Sequence, residues 1–303
     1  MKLLQMMNKI IRISAMMLLP LLLIVAQGVN AQDKGLRIIM IGAHPDDCDI
    51  KSGGTAALFA SMGHHVKFVS VTNGDAGHHE QGGGMLAKRR TAETQESARR
   101  LGIEKYVVLD NHDGELVPSL AIRLQIIREI RKWQADVVIA PRPNDYHPDH
   151  RYTGVLVQDA AYMVAVPNIA PDVEPVKTNP VFLYFSDRFQ QPNPFRPDIV
   201  VDIDKTFDKK MYALDAQVSQ FYEWLPWIGG YADEVPEGSK ERLEWLKTVR
   251  TWTVQDNMRA SLEKWYGAAH AKNVKYAEAF QVCEYGKQPT DEDLKRLFPM
   301  LGK

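Results

Sequence analysis

The sequence predicts an α/β fold, with a mostly parallel sheet covered by helices on both faces and a mainly helical C-terminal part. Short β-branched runs alternate with helix-like segments of about 10–15 residues in the first half of the chain. From Lys205 onward the pattern is mainly helical. Alternating strands and helices form parallel sheets with right-handed crossovers, which bring the carboxyl ends of the strands to one edge, where such sheets bind ligands.

The first predicted elements follow this alternation. A β-branched run at 37–41 ends at Gly42, as a buried parallel strand does. A helix at 52–62 has alanines suited to packing and ends at Gly63. The second strand covers 66–72.

The same alternation continues to the fourth strand. A charged amphipathic helix at 86–101 leads into a strand at 106–109. A helix at 120–133 precedes the strand at 136–140, which ends at Pro141 because proline cannot donate to the sheet. Two further strands are expected, at 181–185 and 199–203.

Residues 1–31 have the pattern of a cleaved secretory signal. Basic residues precede an apolar stretch, 13–26, of about 14 residues, shorter than the roughly 20 of a membrane-spanning helix. Small residues at Val29 and Ala31 suit a signal peptidase. We therefore expect cleavage after Ala31, export to the periplasm or the extracellular space, and no stable membrane insertion afterwards. An uncleaved N-terminal anchor is the alternative.

The composition limits the classes of partner. The chain has 37 Lys and Arg against 38 Asp and Glu, a formal net charge of −1. No basic stripe is visible, which argues against nucleic acid and against an anionic membrane surface. The two cysteines, Cys48 and Cys283, cannot form a disulfide framework, so that one bridge or two separate thiols remain open.

The loop after the first predicted strand carries one histidine and three carboxylates. It reads Ala43-His44-Pro45-Asp46-Asp47-Cys48-Asp49. A dinucleotide-binding fold has glycines at this place, which let backbone amides approach a pyrophosphate. The charges of this loop repel a diphosphate and attract a cation, which disfavours a nucleotide-binding oxidoreductase.

The loop after the fourth predicted strand has the same character and contains His147-Pro148-Asp149-His150. Either loop alone is compatible with turn and capping chemistry, because proline fixes φ and aspartate caps a following helix. Both loops, however, lie at one edge of the predicted sheet. Together they hold enough groups for the three ligands, the general base and the oxyanion donor of a mononuclear zinc hydrolase: His44, Asp46, Asp47, His147, Asp149 and His150.

These two motifs resemble the signature motifs of the PIG-L/LmbE-like deacetylases. The resemblance spans most of residues 36–282 and includes Arg90–Glu93, Asp113–Leu116, Lys210–Leu214 with Ser219-Gln220, and Glu278–Phe280. It implies a Rossmann-like fold and a zinc enzyme that removes acetyl groups from N-acetylglucosamine conjugates and related amides. Residues 32–303 are then expected to form a single deacetylase domain of this kind.

The resemblance also implies a role for each site residue. His44, Asp47 and His150 match the metal ligands. Asp46 matches the general base that activates the metal-bound water, and His147 matches the residue that stabilises the oxyanion. Asp149 is expected to hold the imidazole of His147, and Arg90 matches a substrate-contacting arginine.

Some positions depart from the family pattern or carry two interpretations. Asp49 stands where the family often has Glu, and Gln217 where it often has His. The Gly-rich loop 78–84 is either an exposed connection or a mobile wall of the substrate pocket, without a metal-ligand role for its histidines. The tryptophans of the C-terminal part pack in the core, or two of them stack on sugar: Trp224 and Trp227.

The sequence therefore predicts a metal-dependent hydrolase that cleaves the N-acyl amide of an N-acetylated sugar or glycoconjugate. Zinc is the expected cofactor, and another divalent metal is an alternative. A non-catalytic glycan-binding module and a nucleotide-binding oxidoreductase are the alternative functions on the same fold. The expected partner is a small-molecule or glycan N-acyl substrate, and the sequence leaves the oligomeric state open.

Overall fold

The structure is a computed structural model that describes residues 35–302. Its strands are β1 (Arg37–Gly42), β2 (His65–Ser70), β3 (Lys105–Val108), β4 (Val137–Ala140), β5 (Val181–Phe185), β6 (Ile199–Asp202) and β7 (Ala277–Gly286). Its α-helices are α1 (Asp47–Ser61), α2 (Gly83–Leu101), α3 (Leu120–Trp133), α4 (Pro148–Met163), α5 (Phe207–Leu214), α6 (Leu225–Gly229), α7 (Ser239–Val249), α8 (Asp256–Tyr266), α9 (Ala268–Ala271) and α10 (Asp291–Leu297). A π-helix covers Ser219–Trp224, and a 3-10 helix covers Ala232–Glu234.

The strands form one sheet in the order β3-β2-β1-β4-β5-β7-β6. Neighbouring strands from β3 to β5 are parallel, and β7 runs antiparallel to both β5 and β6. The predicted fold class, an α/β fold with a mostly parallel sheet, is confirmed. The predicted signal segment, residues 1–31, lies outside the described residues.

Both faces of the sheet are buried under helices. Ile38 and Met40 of β1 join a core cluster that contains residues of α1, α2 and α5. Ile39 and Ile41 join the other cluster, with residues of α3 and α4. Successive side chains of a strand point to opposite faces, so a strand buried on both sides reads as a continuous apolar run. Each of these side chains, fully buried, contributes about 1.5–3 kcal/mol of transfer free energy.

Helix α1 begins at Asp47, five positions before the predicted start at Ser52. The sequence predicts a loop at residues 43–49, and the structure places the last three of them in the first turn of α1. Gly54 is required by packing, since an added Cβ would lie 2.9 Å from atoms of Ile203. The consequence for the site is that Asp47 occupies the first turn of α1.

The two motif loops follow neighbouring strands. β1 and β4 pair in parallel, with Ile38 opposite Val137 and Met40 opposite Ile139. The strand order reverses at this pair, because β2 follows β1 on one side and β5 follows β4 on the other. A crevice forms at the carboxyl edge where the order of an open sheet reverses, and ligands bind there.

Two smaller findings complete the description of the fold. Cys48 and Cys283 are both buried free thiols, in different core clusters, so that the two-thiol alternative holds. Among residues 35–302, no helix has both the length and the apolar character needed to cross a membrane.

Candidate metal centre

Three predicted ligands, His44, Asp47 and His150, meet at the carboxyl edge between β1 and β4. His44 Nδ1 lies 3.1 Å from His150 Nε2. Asp47 Oδ1 lies 3.3 Å from His150 Nε2, and Asp47 Oδ2 lies 3.6 Å from His44 Nδ1. Donor atoms around a tetrahedral zinc with bonds of about 2.0–2.1 Å are about 3.3 Å apart. The three side chains therefore have the spacing that a single divalent ion requires.

The turn between β1 and α1 fixes the carboxylate of Asp47. Asp47 Oδ2 accepts hydrogen bonds of 2.8 Å from the backbone N–H groups of Ala43 and His44. Gly42 permits this close approach, because an added Cβ there would lie 2.6 Å from the Cβ of Asp47. The other oxygen, Oδ1, is left facing His150.

The start of α4 positions the two histidines of the second motif. His147 is the N-cap of α4, and its Nδ1 accepts a hydrogen bond from the backbone N–H of Asp149. His150 lies in the first turn, where Asp145 Oδ1 is 2.9 Å from its Nδ1. A carboxylate on the second ring nitrogen fixes the tautomer and orientation of a metal-binding histidine. Asp145 thus directs Nε2 of His150 towards His44 and Asp47.

The outer side of His44 faces two more carboxylates. Its Nε2 lies 3.0 Å from Asp113 Oδ1 and 3.4 Å from Asp149 Oδ2. Asp149 also accepts hydrogen bonds from the backbone N–H groups of Gly114 and Leu116. Its carboxylate was expected to hold the imidazole of His147, and that expectation was wrong in its geometry. The first turn of α4 directs this side chain to the 113–116 loop, and only the backbone N–H of Asp149 contacts His147.

Asp46 lies beside the ligands and is held by Arg90. Arg90 Nη2 is 3.3 Å from Asp46 Oδ1, and Nη1 is 3.6 Å from Asp113 Oδ2. The guanidinium of Arg90 packs directly against the backbone of Gly74 and Gly77. An added Cβ at either glycine would lie within 2.8 Å of it. Burial raises the pKa of Asp46, although the positive charge of Arg90 opposes this shift.

The two histidine ligands have raised pKa values, and the aspartate ligand has a lowered one. Burial alone would lower the pKa of His44, but contacts with Asp113, Asp149 and Asp47 raise it well above its usual value. Burial likewise lowers the pKa of His150, but Asp47 and Asp145 outweigh this effect and raise it to about 9. Burial would raise the pKa of Asp47, but the charge and hydrogen bonds of the two histidines hold it well below its usual range. Binding of a metal therefore displaces protons from the two imidazoles.

Comparisons with known proteins show the family of the chain. A family model described as PIG-L: GlcNAc-PI de-N-acetylase matches residues 39–161. The diacetylchitobiose deacetylase of Thermococcus kodakarensis is 32% identical over 207 residues, which cover 63% of this chain and 74% of that protein. The chain belongs to the PIG-L family.

Other relatives of this PIG-L protein show the same fold and a second reaction. The solved N,N'-diacetylchitobiose deacetylase from Pyrococcus horikoshii is similar with a TM-score of 0.62 and 28% identity, over 84% of this chain and 88% of that one. The 4-oxalmesaconate hydratase of Pseudomonas putida is 24% identical over 61% of this chain and 74% of that protein. The predicted family and reaction class are confirmed, and the protein is a metal-dependent deacetylase.

Two residues of this PIG-L site were not assigned a role from the sequence. Asp113 contacts His44 and Arg90, and Asp145 orients His150. The signals were present, because Asp113 opens the Asp-Gly-Glu-Leu turn and Asp145 precedes the second motif. Their roles depend on how three loops meet in space, which sequence spacing does not show.

The Gly-rich loop of the deacetylase is attached to the π-helix that follows α5. His78 is buried, and its Nε2 lies 2.9 Å from Glu223 Oε2. The rings of His78, His79, Trp227 and Trp224 form a continuous stack, with centroid separations of 4.6, 4.9 and 5.5 Å. Trp227 packs between two other rings but is 49% exposed, so that it is not a core tryptophan, and its stacking on sugar stays a prediction.

The two departures from the family pattern lie together in the core. Asp49 is buried and accepts hydrogen bonds from Ser97 and Tyr106. Gln217 is fully buried next to Asp49. Asp49 joins α1 to Ser97 of α2, and neither Asp49 nor Gln217 is in the ligand set of the metal centre.

Proposed function

We propose that this protein is a zinc-dependent N-deacetylase that acts on an N-acetylated amino sugar or a short glycan that contains one. The observation that carries the proposal is the ligand set of His44, Asp47 and His150 at mutual distances that suit one ion, with the carboxylate of Asp46 beside it. Two imidazoles and one carboxylate would hold the ion with three protein ligands, the number that hydrolytic zinc sites use.

Asp46 is suited to accept a proton from water. An ion held by the three ligands supplies a Lewis acid for the amide carbonyl and lowers the pKa of a water molecule towards about 7. Burial raises the pKa of Asp46, which makes its carboxylate a stronger base than an exposed aspartate. Arg90 holds that carboxylate in one orientation, and Asp46 then returns the proton to the amine that leaves.

His147 is suited to stabilise the oxyanion. Its Nδ1 accepts a hydrogen bond from the backbone N–H of Asp149, so that in the neutral ring the proton is on Nε2. Burial, together with the neighbouring His44 and His150, lowers the pKa of His147 and keeps the ring neutral near pH 7. The Nε2–H group is therefore a fixed donor for the negative charge that develops on the carbonyl oxygen.

The substrate class rests on the relatives. The Thermococcus protein is named for diacetylchitobiose, and the matching family model for GlcNAc-PI. Both names describe an N-acetylated glucosamine that is linked to a second group. We therefore infer an N-acetylglucosaminide with a further group attached.

The test measures the release of amine by the zinc-reconstituted protein from a matched panel of N-acetyl substrates. N,N'-diacetylchitobiose, N-acetylglucosamine and an N-acetyl amide without a sugar are compared, with chelated protein as the control. We expect release from the sugars, fastest from the disaccharide, and its loss on chelation. No amine release from any N-acetyl substrate would overturn the proposal, and hydration of 4-oxalmesaconate would favour the reaction of the Pseudomonas relative instead.

We also propose that the protein acts outside the cytoplasm. The support is the pattern of residues 1–31, with a basic start, a short apolar stretch and small residues before Ala31. Expression of the full chain in a bacterial host should give a periplasmic or secreted product whose first residue is Gln32. Recovery of the intact N-terminus in the cytoplasm would contradict the proposal.

A further inference from the structure

A cavity beside the metal centre extends along the carboxyl edge of the sheet towards the end of β5. It has about 290 Å³ of empty space, part of which is open to solvent. The ligands Asp47 and His150 line the cavity where it meets the metal centre, and Pro141 and Phe185 add apolar surface to its wall. The proposed function as described so far gives this cavity no role.

The proposed path of the proton places the acyl part of the substrate on the side of the cavity. Asp46 returns the proton to the leaving nitrogen, so the nitrogen and its sugar must lie on the side of Asp46 and Arg90. Neither of these two residues is among those that line the cavity. The acyl chain leaves the carbonyl carbon in a direction away from the nitrogen, which is the side of Asp47 and His150. The cavity is therefore in the right place to receive the acyl chain.

Lys51 brings a positive charge into the cavity. It lies one helical turn after Asp47 in α1, so the two side chains are neighbours on one face of the helix. Its ammonium donates a hydrogen bond of 2.9 Å to the backbone oxygen of Ser186 and forms no ion pair with any carboxylate of residues 35–302. Because an ammonium has three N–H donors, two remain for a ligand.

The other cation of the cavity is already neutralised. Arg142 Nε lies 2.6 Å from Asp187 Oδ2, and Arg142 Nη2 lies 2.5 Å from Asp187 Oδ1. The carboxylates that line the cavity are those of Asp47, Asp145 and Asp187, against the two cations Lys51 and Arg142. A divalent ion at the ligand set turns this balance into one excess positive charge, which attracts an anion.

We propose that the cavity binds an acyl group that ends in a carboxylate, and that Lys51 pairs with this carboxylate. The further activity, which rests on the proposed function, is hydrolysis of N-succinyl amides and similar half-amides of short dicarboxylic acids. One turn of α1, with a pitch of about 5.4 Å, separates Asp47 from Lys51, a spacing that suits a chain of this length. The reaction consumes one water molecule. The C–N bond breaks, the hydroxyl joins the acyl carbon as a second carboxyl group, and the proton goes to the amine.

Three N-acyl derivatives of glucosamine test the proposal with the zinc-loaded protein: acetyl, butyryl and succinyl. Butyryl and succinyl have the same number of carbon atoms, and only succinyl ends in a carboxylate. A charge-assisted hydrogen bond from Lys51 should favour succinyl over butyryl by about 10-fold or more in kcat/KM. Equal values for the two compounds, or a preference for butyryl, would overturn the proposal.

Lys51→Met removes the charge and keeps a side chain of similar length. It should abolish the preference for succinyl over butyryl, a ratio that does not depend on the fraction of folded protein. Lys105→Met is the matched control, because Lys105 is exposed at the first position of β3, at the opposite edge of the sheet. This control should keep the preference. A preference that survives in Lys51→Met would show that another group binds the carboxylate.

Calorimetric titration with the free acids measures the cavity without the reaction. Succinate should bind to the natural protein and to Lys105→Met about 10-fold more tightly than butyrate, and this difference should vanish in Lys51→Met. If succinate binds in this way but no N-acyl compound releases amine, the cavity stands and the proposed deacetylation fails. If the acetyl compound releases amine but succinate binds no better than butyrate, the deacetylation stands and the role of Lys51 is refuted.

Discussion

Asp46 and Asp47 are adjacent in sequence, yet their environments drive their protonation in opposite directions. Burial raises the pKa of Asp46 and is only partly offset by Arg90. Burial would also raise the pKa of Asp47, but contacts with His150 and His44 reverse this effect. This difference suits the proposed roles of Asp46 as a base and of Asp47 as an anionic ligand. Such a separation of neighbouring acids is how one site performs both functions near neutral pH.

Asp46→Asn tests this division of roles. The amide keeps the shape of the side chain but cannot accept a proton, so turnover should fall by about 100-fold or more, as expected for loss of a general base. Zinc content should stay near one per chain at limiting zinc, because Asp46 is outside the ligand set. His150→Ala is the contrasting variant, and it should lose the metal. Near-normal turnover in Asp46→Asn would contradict the assigned role.

Asp145→Ala tests whether Asp145 affects zinc binding through its contact with the ligand His150. Without the carboxylate on Nδ1, His150 loses the partner that fixes its orientation. Zinc affinity should fall by about 10–100-fold, while kcat of the fully loaded protein changes much less. Asp159→Ala removes an exposed carboxylate of an ion pair on α4, the helix that carries His150, and should leave zinc affinity unchanged. Equal affinities in the two variants, measured by competition with a chelating dye, would show that Asp145 has no positioning role.

The sequence predicted the site residues that stand in recognisable motifs. It missed the residues whose roles depend on how separate loops meet in space. His44, Asp47 and His150 stand in motifs after strands, and the sheet brings them together as expected. Asp113 and Asp145 gain their roles from loops that meet in space. Asp149 was expected to hold the imidazole of His147, but its carboxylate contacts the backbone of Gly114 and Leu116 instead.

At the scale of the elements, a buried ion pair holds α1 against the sheet. Glu278 of β7 accepts hydrogen bonds from the backbone N–H groups of Gly54 and Thr55, in the middle of α1. Lys210 of α5 donates to the same carboxylate, and both side chains are fully buried. The glycines of α1, Gly53 and Gly54, are thus places where other elements approach the helix closely. This coupling of α1, α5 and β7 spans more than 220 positions, too far for local patterns to reveal.

Gly154→Ala tests how closely α4 must approach the β4 loop. An added Cβ would lie 2.8 Å from Pro141 O and from the backbone carbon of Arg142, neither of which is flexible. The helix that carries His150 must shift, so stability should fall by about 1–3 kcal/mol and zinc affinity should fall with it. Gly84→Ala in α2 is the matched control, since an added Cβ there meets no atom within 4 Å. A Gly154→Ala protein as stable in urea as the control would contradict this packing argument.

At the scale of the whole molecule, the alternation of strands and helices was enough to predict the parallel part of the sheet. It placed both motifs at the carboxyl edge, where β1 and β4 pair. The antiparallel strand β7 could not be placed in the same way. It comes after a long helical region and inserts between β5 and β6, and such an order depends on tertiary packing rather than on local periodicity.

Removal of the metal should destabilise the whole fold, by an amount that grows with pH. The ligands come from the loop after β1, from α1 and from α4. An ion that binds only the folded chain stabilises it by about 4 kcal/mol at a free concentration 1,000 times its Kd. At about 2–4 °C per kcal/mol for a domain of this size class, the expected shift in Tm is about 8–16 °C.

The pH dependence of that shift follows from the raised pKa values of His44 and His150, the latter about 9. Both imidazoles hold a proton at pH 6 without the ion, and each must release it for the ion to bind. Apparent affinity should therefore rise by about 10-fold per released proton for each pH unit towards 9. The Tm difference between zinc-loaded and chelated protein should be larger at pH 8 than at pH 6, measured at equal free zinc. In His150→Ala the difference should nearly vanish at both pH values, and a difference in the natural protein that shrinks as pH rises would contradict the proton competition at these two ligands.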